Sequence, residues 1–290
     1  MTTPIISILT TAFNREKYIA AAVESIINST YQNWELIIVD DVSSDNTIEI
    51  AKEFEKKDPR IKVFVNEKNL GDYHNRNKAA EYATGKYIKY VDADDMIYPY
   101  CLEQMVYYME KFPEAGYGLC TMKQDKFRPY PYVLNPKEAY QKHYFDLPIF
   151  ARAPLSAIIK KEVFEAVGGF SGKQHVGDFE LWHTISLKYP VVLMPHSHGM
   201  VWWREHTEQQ MSDNRADPFV PFKYLLLSND FLNNTNCPLD KNQKTIALKN
   251  NYKAIARNII KATINHSLKK GLQMKKAANL GYFDIFKNIF

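Results

Sequence analysis

KYIKYVDADD, at residues 86–95, joins a strand-like half to a cluster of three carboxylates. The first half alternates and is rich in aromatic and β-branched side chains, which predicts a β-strand. Asp92 and Asp94 point to the same side of an extended backbone, so both can converge on one ligand.

Carboxylates this close together repel one another unless a cation or hydrogen-bond donors offset their charge. A divalent ion carrying a diphosphate suits the pair, because Mg²⁺ takes one or two carboxylates plus phosphate oxygens. For D-x-D-D on its own, an acidic turn that caps the next helix is the alternative.

The residues before this stretch alternate between strand and helix patterns. Predicted strands cover Ile5–Thr11, Glu35–Asp41, Arg60–Val65 and Lys86–Tyr90. Predicted helices cover Tyr18–Ile27 and His74–Thr84, and a third helix runs to about Lys57 after the cap candidates Ser43–Asp45. The short connections between them indicate a parallel α/β sheet with right-handed crossovers.

In such a sheet, ligands bind outside the carboxyl ends of the strands. The residues at these ends are nearly all polar: Thr11, Asn14, Arg15, Asp40, Asp41, Asp92, Asp94 and Asp95. This pattern predicts a binding site. Because the chain has neither G-x-G-x-x-G nor G-x-x-x-x-G-K-[ST], a dinucleotide site and a P-loop are not expected.

Beyond the fourth strand the pattern is more varied. Helices are predicted at Pro99–Phe112, Lys161–Val167 and from Gly177, and strands at Gly116–Met122, Leu155–Ile159, Val191–Met194 and Gly199–Trp203. Lys123–Pro154 contains five prolines and predicts loops over the site. From about Pro221 the pattern is helical to the end.

Charge is distributed unevenly along the chain. Residues 241–290 contain eleven Lys or Arg and one acidic residue, Asp284, so their net charge is +10 while residues 1–240 carry −6. Apolar residues recur every three or four positions among these lysines: Ile255, Ile259, Ile260, Ile264, Leu268 and Leu272. This basic amphipathic pattern indicates either a helix on an anionic membrane or a helical cap on the catalytic domain or a homodimer partner. Nucleic-acid binding is not expected, because the rest of the chain is acidic.

Cysteine usage favours a reducing compartment. Cys101, Cys120 and Cys237 lie far apart without a C-x-x-C pair, so neither a zinc site nor a disulfide framework is expected. No basic region precedes the first apolar run, and no uninterrupted apolar stretch is long enough to span a membrane. We therefore expect a cytoplasmic protein, with association at the cytoplasmic face of a membrane left open.

Four sequence blocks, in this order, resemble the family 2 glycosyltransferases. They are Ser7–Asn14; Leu36–Asp41 with Ser43–Asp45; Asn69–Gly71 through Arg76–Asn77, Ala80 and Gly85 to Asp92–Asp95; and Gly168–Phe170 with Gly177–Trp182. Their order and spacing agree over roughly residues 5–210. The resemblance implies the GT-A fold, a Rossmann-like α/β domain with a mostly parallel sheet flanked by helices.

The resemblance also implies a domain organisation and an activity. The catalytic domain would occupy residues 1–220, with a nucleotide-binding half at 1–100 and an acceptor half at 101–220, and a basic helical region would follow at 221–290. The implied reaction is inverting, metal-dependent transfer of a sugar from a nucleotide diphosphate to an acceptor hydroxyl of a glycan or lipid-linked glycan. Mn²⁺ or Mg²⁺ would be the cofactor.

Matched to the family's motifs, individual residues acquire expected roles. The nucleotide-sugar-binding residues would be Thr11, Asn14, Arg15, Asp40, Arg76 and Asp92. Among them, Thr11, Arg15 and Asp40 would line the base and ribose pocket, and an acceptor carboxylate at Asp40 favours uracil or thymine. Asp94 of the D-x-D motif would ligate the metal, with His206 able to approach it.

Asp178 falls where the family places its general base. The family more often has Glu-Asp at this point, whereas this chain has Gly177-Asp178. Asp178 could instead be a helix N-cap. Transfer chemistry independently requires a carboxylate that takes the acceptor proton and a cation that stabilises the departing diphosphate.

Three other functions compete with this interpretation. A nucleotidyltransferase that makes nucleotide sugars needs a glycine-rich loop after the first strand, and residues 11–15 contain no glycine. A D-x-D-x-[TV] phosphohydrolase needs its acidic pair after the first strand rather than the fourth. A non-catalytic nucleotide-sugar or glycan-binding protein would bind donor without turnover.

Overall fold

The structure of the chain, a computed structural model, describes residues 5–121, 124–196, 200–206, 217–281, 283 and 285. Its strands are β1 Ile6–Ala12, β2 Trp34–Asp40, β3 Ile61–Val65, β4 Tyr87–Tyr90, β5 Met96–Ile97, β6 Tyr117–Thr121, β7 Tyr132–Leu134, β8 Ala157–Lys160, β9 Val191–His196 and β10 Val201–Trp202. Its α-helices are α1 Ile19–Ile27, α2 Thr47–Lys57, α3 Asp72–Glu81, α4 Cys101–Lys111, α5 Pro136–Phe145, α6 Lys161–Ala166, α7 Gly177–Ser186, α8 Phe219–Asn233, α9 Lys241–Asn265 and α10 Leu268–Ala277.

A large mixed sheet forms the centre of the first compact unit, which comprises Met1–Ala139 and Pro148–Arg204. The strand order is β3-β2-β1-β4-β8-β6-β9-β7. β3, β2, β1 and β4 run parallel, as predicted, and β8 then pairs antiparallel with both β4 and β6. A small antiparallel pair, β5 with β10, lies beside the carboxylate stretch. The expected α/β class, with a sheet flanked by helices, is confirmed.

Apolar runs in the central strands explain the sheet. Ile6, Ile8, Leu36 and Ile38 are fully buried and belong to one hydrophobic core with residues of α1 and α4. Strands covered on both faces read as continuous apolar runs, so their position in the sequence was predictable. Ala12 of β1 pairs in register with Asp40 of β2, which brings the two strand ends to one edge.

The prediction of loops over Lys123–Pro154 was wrong at two regular elements within that segment. β7 and α5 lie there, and Asn135 and Glu138 form reciprocal backbone–side-chain hydrogen bonds at the start of α5. Asn-Pro-x-Glu is a helix-start signal, since the proline suits the first helical position and the two polar side chains cap each other. Lys123 lies outside the described residues.

The second compact unit comprises Tyr140–Leu147 and Glu205–Phe290. Phe222, Ile255 and Met274 form the centre of its own hydrophobic cluster. Asp240 and Gln243 make a complete capping box at the start of α9. The predicted helical C-terminal region is therefore present, whereas a boundary at residue 220 stays a prediction. Within the described residues, no helix is long and apolar enough to cross a membrane.

Candidate active site

The carboxyl end of β2 carries two adjacent aspartates with different environments. Asp40 is fully buried, and the backbone N–H and hydroxyl of Ser43 donate hydrogen bonds to its two oxygens at 2.7 and 2.6 Å. Burial raises the pKa of Asp40, and the bonds from Ser43 oppose that rise. Each carboxylate oxygen has two lone pairs, so each can accept a second hydrogen bond.

Asp41 holds the start of α3. Its carboxylate accepts the backbone N–H groups of Leu70 and Gly71 at 2.8 and 2.9 Å, and Gly71 has φ +81°. These bonds begin α3 at Asp72, two residues before the predicted start, and the helix ends at Glu81 rather than near Gly85. A distant carboxylate therefore determines where this helix begins.

Arg76 of α3 is buried and makes the densest set of ion pairs in the described site. Its two terminal nitrogens donate to both oxygens of Asp92 at 2.7 and 3.0 Å, and its Nε donates to Asp72 at 2.8 Å. The guanidinium carbon lies 5.5 Å from the centre of the Tyr90 ring. Burial alone would lower the pKa of Arg76, but Asp72 and Asp92 raise it well above its usual value.

Asp94 pairs with the other predicted arginine. Nε of Arg15 donates to Asp94 at 2.9 Å, and the Asp94 side chain is 13% exposed. Arg15, predicted to line the base and ribose pocket, thus contacts the predicted metal ligand. Its own backbone is held by Thr47, whose hydroxyl oxygen accepts the Arg15 N–H at 2.7 Å.

Asp95 completes the acidic cluster from the core side. It is buried, and its carboxylate accepts the backbone N–H of Arg204 at 2.9 Å. Burial, followed by the charges of Asp92 and Asp94, raises the pKa of Asp95 far above its usual range. Nε of Arg204 in turn donates to the Asp94 carbonyl at 3.1 Å. Arg204 therefore supports this edge of the sheet, a role that the sequence did not predict for it.

The remaining predicted binding residues lie at the end of β1 or just after it. Thr11 is half-buried opposite Val39 of β2. Asn14 has φ +52°, and its side-chain oxygen accepts the Ser44 N–H at 2.8 Å. Asn14 therefore shapes the loop that follows β1.

Asp178 lies in the first turn of α7. It is half-buried, and burial raises its pKa to about 6, although the Phe179 N–H and the Arg76 charge oppose the rise. That influence of Arg76 places Asp178 within electrostatic range of the Arg76–Asp92 pair. His206 belongs to the second compact unit, whereas Asp94 belongs to the first, so a shared metal site for the two stays a prediction.

Sequence reasoning missed Tyr73, which connects α3 to Asp178. The Tyr73 hydroxyl donates to Asp178 at 3.5 Å, and its ring stacks on Phe170 at 5.2 Å. A Cβ at Gly177 would lie 2.7 Å from the Tyr73 ring. The glycine that departs from the family pattern thus makes room for this tyrosine. That departure was the one signal in the sequence that could have pointed to Tyr73.

α3 is also bound to the segment before α7. The amide of Asn77 donates to the Phe170 carbonyl at 2.8 Å and accepts the Phe170 N–H at 2.9 Å. Gly169 has φ +67°, and a Cβ there would lie 2.6 Å from the Asn77 oxygen. One short helix therefore contacts both the acidic strand end and the Asp178 region.

The oxygen ligands at this edge fit a hard divalent ion. Among the described residues, no three His, Cys, Asp or Glu side chains are grouped as a metal site. Asp94 could hold such an ion together with the phosphate oxygens of a nucleotide. Mg²⁺ commonly binds in this way, through one or two carboxylates together with substrate phosphates.

Comparison with known proteins identifies a family. The sequence model described as "Glycosyl transferase family 2" matches residues 7–168. The putative teichuronic acid biosynthesis glycosyltransferase TuaG of Bacillus subtilis is 40% identical over 126 residues, which are 42% of this chain and 49% of that protein. The glucosyltransferase WfgD of Escherichia coli is 40% identical over 107 residues, which are 37% of this chain and 42% of that protein. This chain therefore matches less than half the length of either relative.

Two solved structures share the fold. TarS 1–349 of S. aureus in complex with UDP-GlcNAc aligns with TM-score 0.67 and 19% identity, covering 93% of this chain and 75% of that chain. The mannosyltransferase PcManGT of Pyrobaculum calidifontis, in complex with GDP-Man and Mn²⁺, aligns with TM-score 0.61 and 16% identity, covering 100% and 84%. At this identity the likeness establishes the fold.

The contact between Tyr73 and Gly177 can be tested by a double-mutant cycle. Gly177→Ala should destabilise the wild-type chain by about 1–3 kcal/mol, because the added methyl group overlaps the Tyr73 ring. In a Tyr73→Leu background the same change should be neutral or stabilising, since alanine is the better helix former. The free energies of unfolding are measured by urea denaturation. Equal effects of Gly177→Ala in both backgrounds would contradict this arrangement.

Proposed function

Because this chain belongs to glycosyltransferase family 2, we propose that it transfers a sugar from a nucleotide diphosphate to an acceptor hydroxyl with inversion at the anomeric carbon. The observation that carries this proposal is the edge where Asp92 and Asp94 are each paired with an arginine, while Tyr73, on the same helix as Arg76, donates a hydrogen bond to Asp178. Such an edge offers carboxylates and arginines for a divalent ion with its diphosphate, and a separate carboxylate for a proton.

The donor would lie along the ends of β1, β2 and β4. Asp40 would accept a hydrogen bond from the imide of the base, which favours a UDP- or TDP-sugar, and Thr11 and Asn14 would line the same pocket. Arg76 and Asp92 would meet the ribose and diphosphate as one neutralised pair. The binding of UDP-GlcNAc by TarS, which shares the fold, supports a uridine donor.

Mn²⁺ or Mg²⁺ would be held by Asp94 and by the diphosphate, with His206 as a further candidate ligand. The ion would act as a Lewis acid that stabilises the charge of the departing nucleotide diphosphate. Arg15 would then release Asp94 and turn its guanidinium toward the phosphates, because it can pair with either anion. The complex of PcManGT with GDP-Man and Mn²⁺ supports divalent metal use.

Asp178 would take the proton of the acceptor hydroxyl as that hydroxyl attacks. A carboxylate with a pKa of about 6 is a better base than an ordinary aspartate and is still ionised near neutral pH. Tyr73 would hold the Asp178 carboxylate in place through its hydroxyl. Asp178 lies on α7, whereas Asp94, which would hold the metal at the leaving group, follows β4. The base and the metal ligand would thus come from different elements, which suits inversion, because the base must act from the face opposite the leaving group.

The acceptor would be a growing surface polysaccharide or a related glycan. The name of TuaG refers to teichuronic acid biosynthesis, and the name of WfgD gives a sugar on diphosphoundecaprenol as its acceptor. A lipid-linked acceptor of this kind would place the reaction at the cytoplasmic face of a membrane.

Donor binding should depend on Asp94. Asp94→Asn should weaken metal-dependent UDP binding by at least about tenfold, because it removes a charged ligand from a hard ion. Calorimetric titration of UDP with Mn²⁺ measures the loss. Asp58→Asn is the matched control. Asp58 also pairs with an arginine, Arg60, at 2.7 Å, but this pair lies just before β3, at the amino end of that strand. Equal UDP affinity in wild type and Asp94→Asn would refute the metal assignment.

Transfer should depend on Asp178. Asp178→Asn should retain donor binding and lose transfer by about 10²–10⁴-fold, because the asparagine oxygen can still accept the Phe179 N–H but takes no proton. Glu180→Gln, in the same helical turn, should transfer at a near-normal rate. The assay is sugar incorporation from a panel of nucleotide sugars. The structure excludes the N-cap alternative, since Val176 is the N-cap of α7, so near-normal transfer by Asp178→Asn would leave Asp178 a structural residue and shift the search for a base to Glu180 or His206.

The pH dependence should report the same carboxylate. Because a general base works when ionised, kcat/KM should rise with pH and level off above about pH 6. The raised pKa means that ionised Asp178 is unfavourable in the folded state, so its stabilising effect is present at low pH and is lost as the pH rises through 6. Asp178→Asn should therefore melt no lower than wild type at pH 7, with a Tm difference that grows between pH 4 and 7. A lower Tm for Asp178→Asn at pH 7 would contradict the burial of this charge.

A further inference from the structure

The amphipathic stripe of the basic C-terminal region divides into two parts in the structure. Ile255 and Ile259 are buried in the hydrophobic cluster of the second unit together with Phe222. By contrast, Ile264 and Leu268 are 76% and 66% exposed, and Leu272 is 39% exposed. The first part therefore builds the core of the unit, whereas the second part faces solvent.

Tight packing determines which face of α10 is exposed. Gly271 and Met274 are its buried residues, and a Cβ at Gly271 would overlap the Thr263 hydroxyl of α9. With 3.6 residues per turn, the exposed side of α10 presents Leu268, Lys269, Leu272 and Lys276. Larger side chains at Gly271 are excluded, so α10 cannot turn to bury its leucines without losing this contact.

Basic side chains surround these exposed apolar residues. Lys261, Lys269 and Lys276 are exposed, and residues 241–281 contain ten Lys or Arg without a single Asp or Glu. Helix α10 places Lys269 and Lys276 on either side of Leu272, since residues three and four apart on a helix are neighbours. We call this set the α10 surface, and it consists of Leu268, Lys269, Leu272 and Lys276.

An anionic bilayer satisfies both parts of the α10 surface at once. The two leucines can enter the boundary between headgroups and acyl chains, while lysine stems extend along them and keep the ammonium groups at the phosphates. Nucleic acid would pair with the lysines but leave the aliphatic side chains in water. A purely acidic protein surface would likewise pair with the lysines and leave the aliphatic side chains in water.

We infer that the α10 surface docks the chain on an anionic phospholipid bilayer. Each exposed lysine near such a surface strengthens binding by roughly fivefold, and salt screens this contribution. Burial of aliphatic side chains adds a component that salt does not screen. The inference stands on the second unit alone and holds whether or not the proposed transfer reaction is correct.

Vesicle co-sedimentation of the full chain tests this inference. Phosphatidylcholine vesicles with added phosphatidylglycerol should bind the wild-type chain at low salt, and vesicles of phosphatidylcholine alone should bind it far less. Leu268→Asn/Leu272→Asn, which leaves the charge unchanged, should weaken binding by about tenfold or more. Lys269→Gln/Lys276→Gln should weaken it similarly and reduce its salt dependence.

Two control variants act outside this surface. Phe127→Ser removes a side chain that is 88% exposed in the first unit, and Lys188→Gln removes an exposed lysine there. Both should bind vesicles like the wild type. The inference fails if the wild type does not bind anionic vesicles, or if the leucine variant binds them as well as wild type while its melting temperature is unchanged. It also fails if an oligonucleotide competes fully with vesicles and binds equally to the leucine variant.

Discussion

The buried guanidinium of Arg76 constrains the whole site. A buried charge is costly unless it is paired and hydrogen-bonded, and Arg76 meets this requirement through Asp72 on its own helix and Asp92 at the end of β4. The pairing ties α3 to the acidic strand end. Because α3 also carries Tyr73 and Asn77, the same helix binds the segment before α7 and the start of α7 itself. Loss of the Arg76–Asp92 pair would therefore disturb both the donor edge and the neighbourhood of Asp178.

The site gathers carboxylates in environments that oppose their ionisation. Burial raises the pKa values of Asp40, Asp95 and Asp178, the last to about 6, and all three lie near the carboxyl edge of the sheet. Asp92 and Asp94, by contrast, are each paired with an arginine. Groups whose pKa values are shifted by burial cluster at functional sites more often than at structural ones. The GT-A fold brings these side chains together because the ends of its central parallel strands share one edge.

Much of this architecture was predictable from local patterns. The apolar runs of β1 and β2 and the cluster after β4 indicated the parallel strands and their common edge, since strands buried on both faces leave a clear signal. Which partners these side chains choose was not predictable. Arg15 was expected beside the base and pairs with Asp94, and α3 begins where the distant Asp41 accepts its N–H groups. Periodicity in the C-terminal region likewise indicated an apolar stripe, but only the packing of α10 on α9 separates its buried part from its exposed part. Contacts between residues far apart in sequence decide each of these cases.

We propose that the edge formed by Asp92, Asp94 and their arginines binds a nucleotide diphosphate together with a divalent ion. The most direct measurement is anomalous scattering from crystals of the chain grown with UDP and Mn²⁺. We expect a single strong manganese peak beside the Asp94 carboxylate and the diphosphate. The Arg15 guanidinium should have turned from Asp94 to the phosphate. A nucleotide bound at this edge with manganese absent or remote from Asp94, or a nucleotide bound elsewhere, would contradict it.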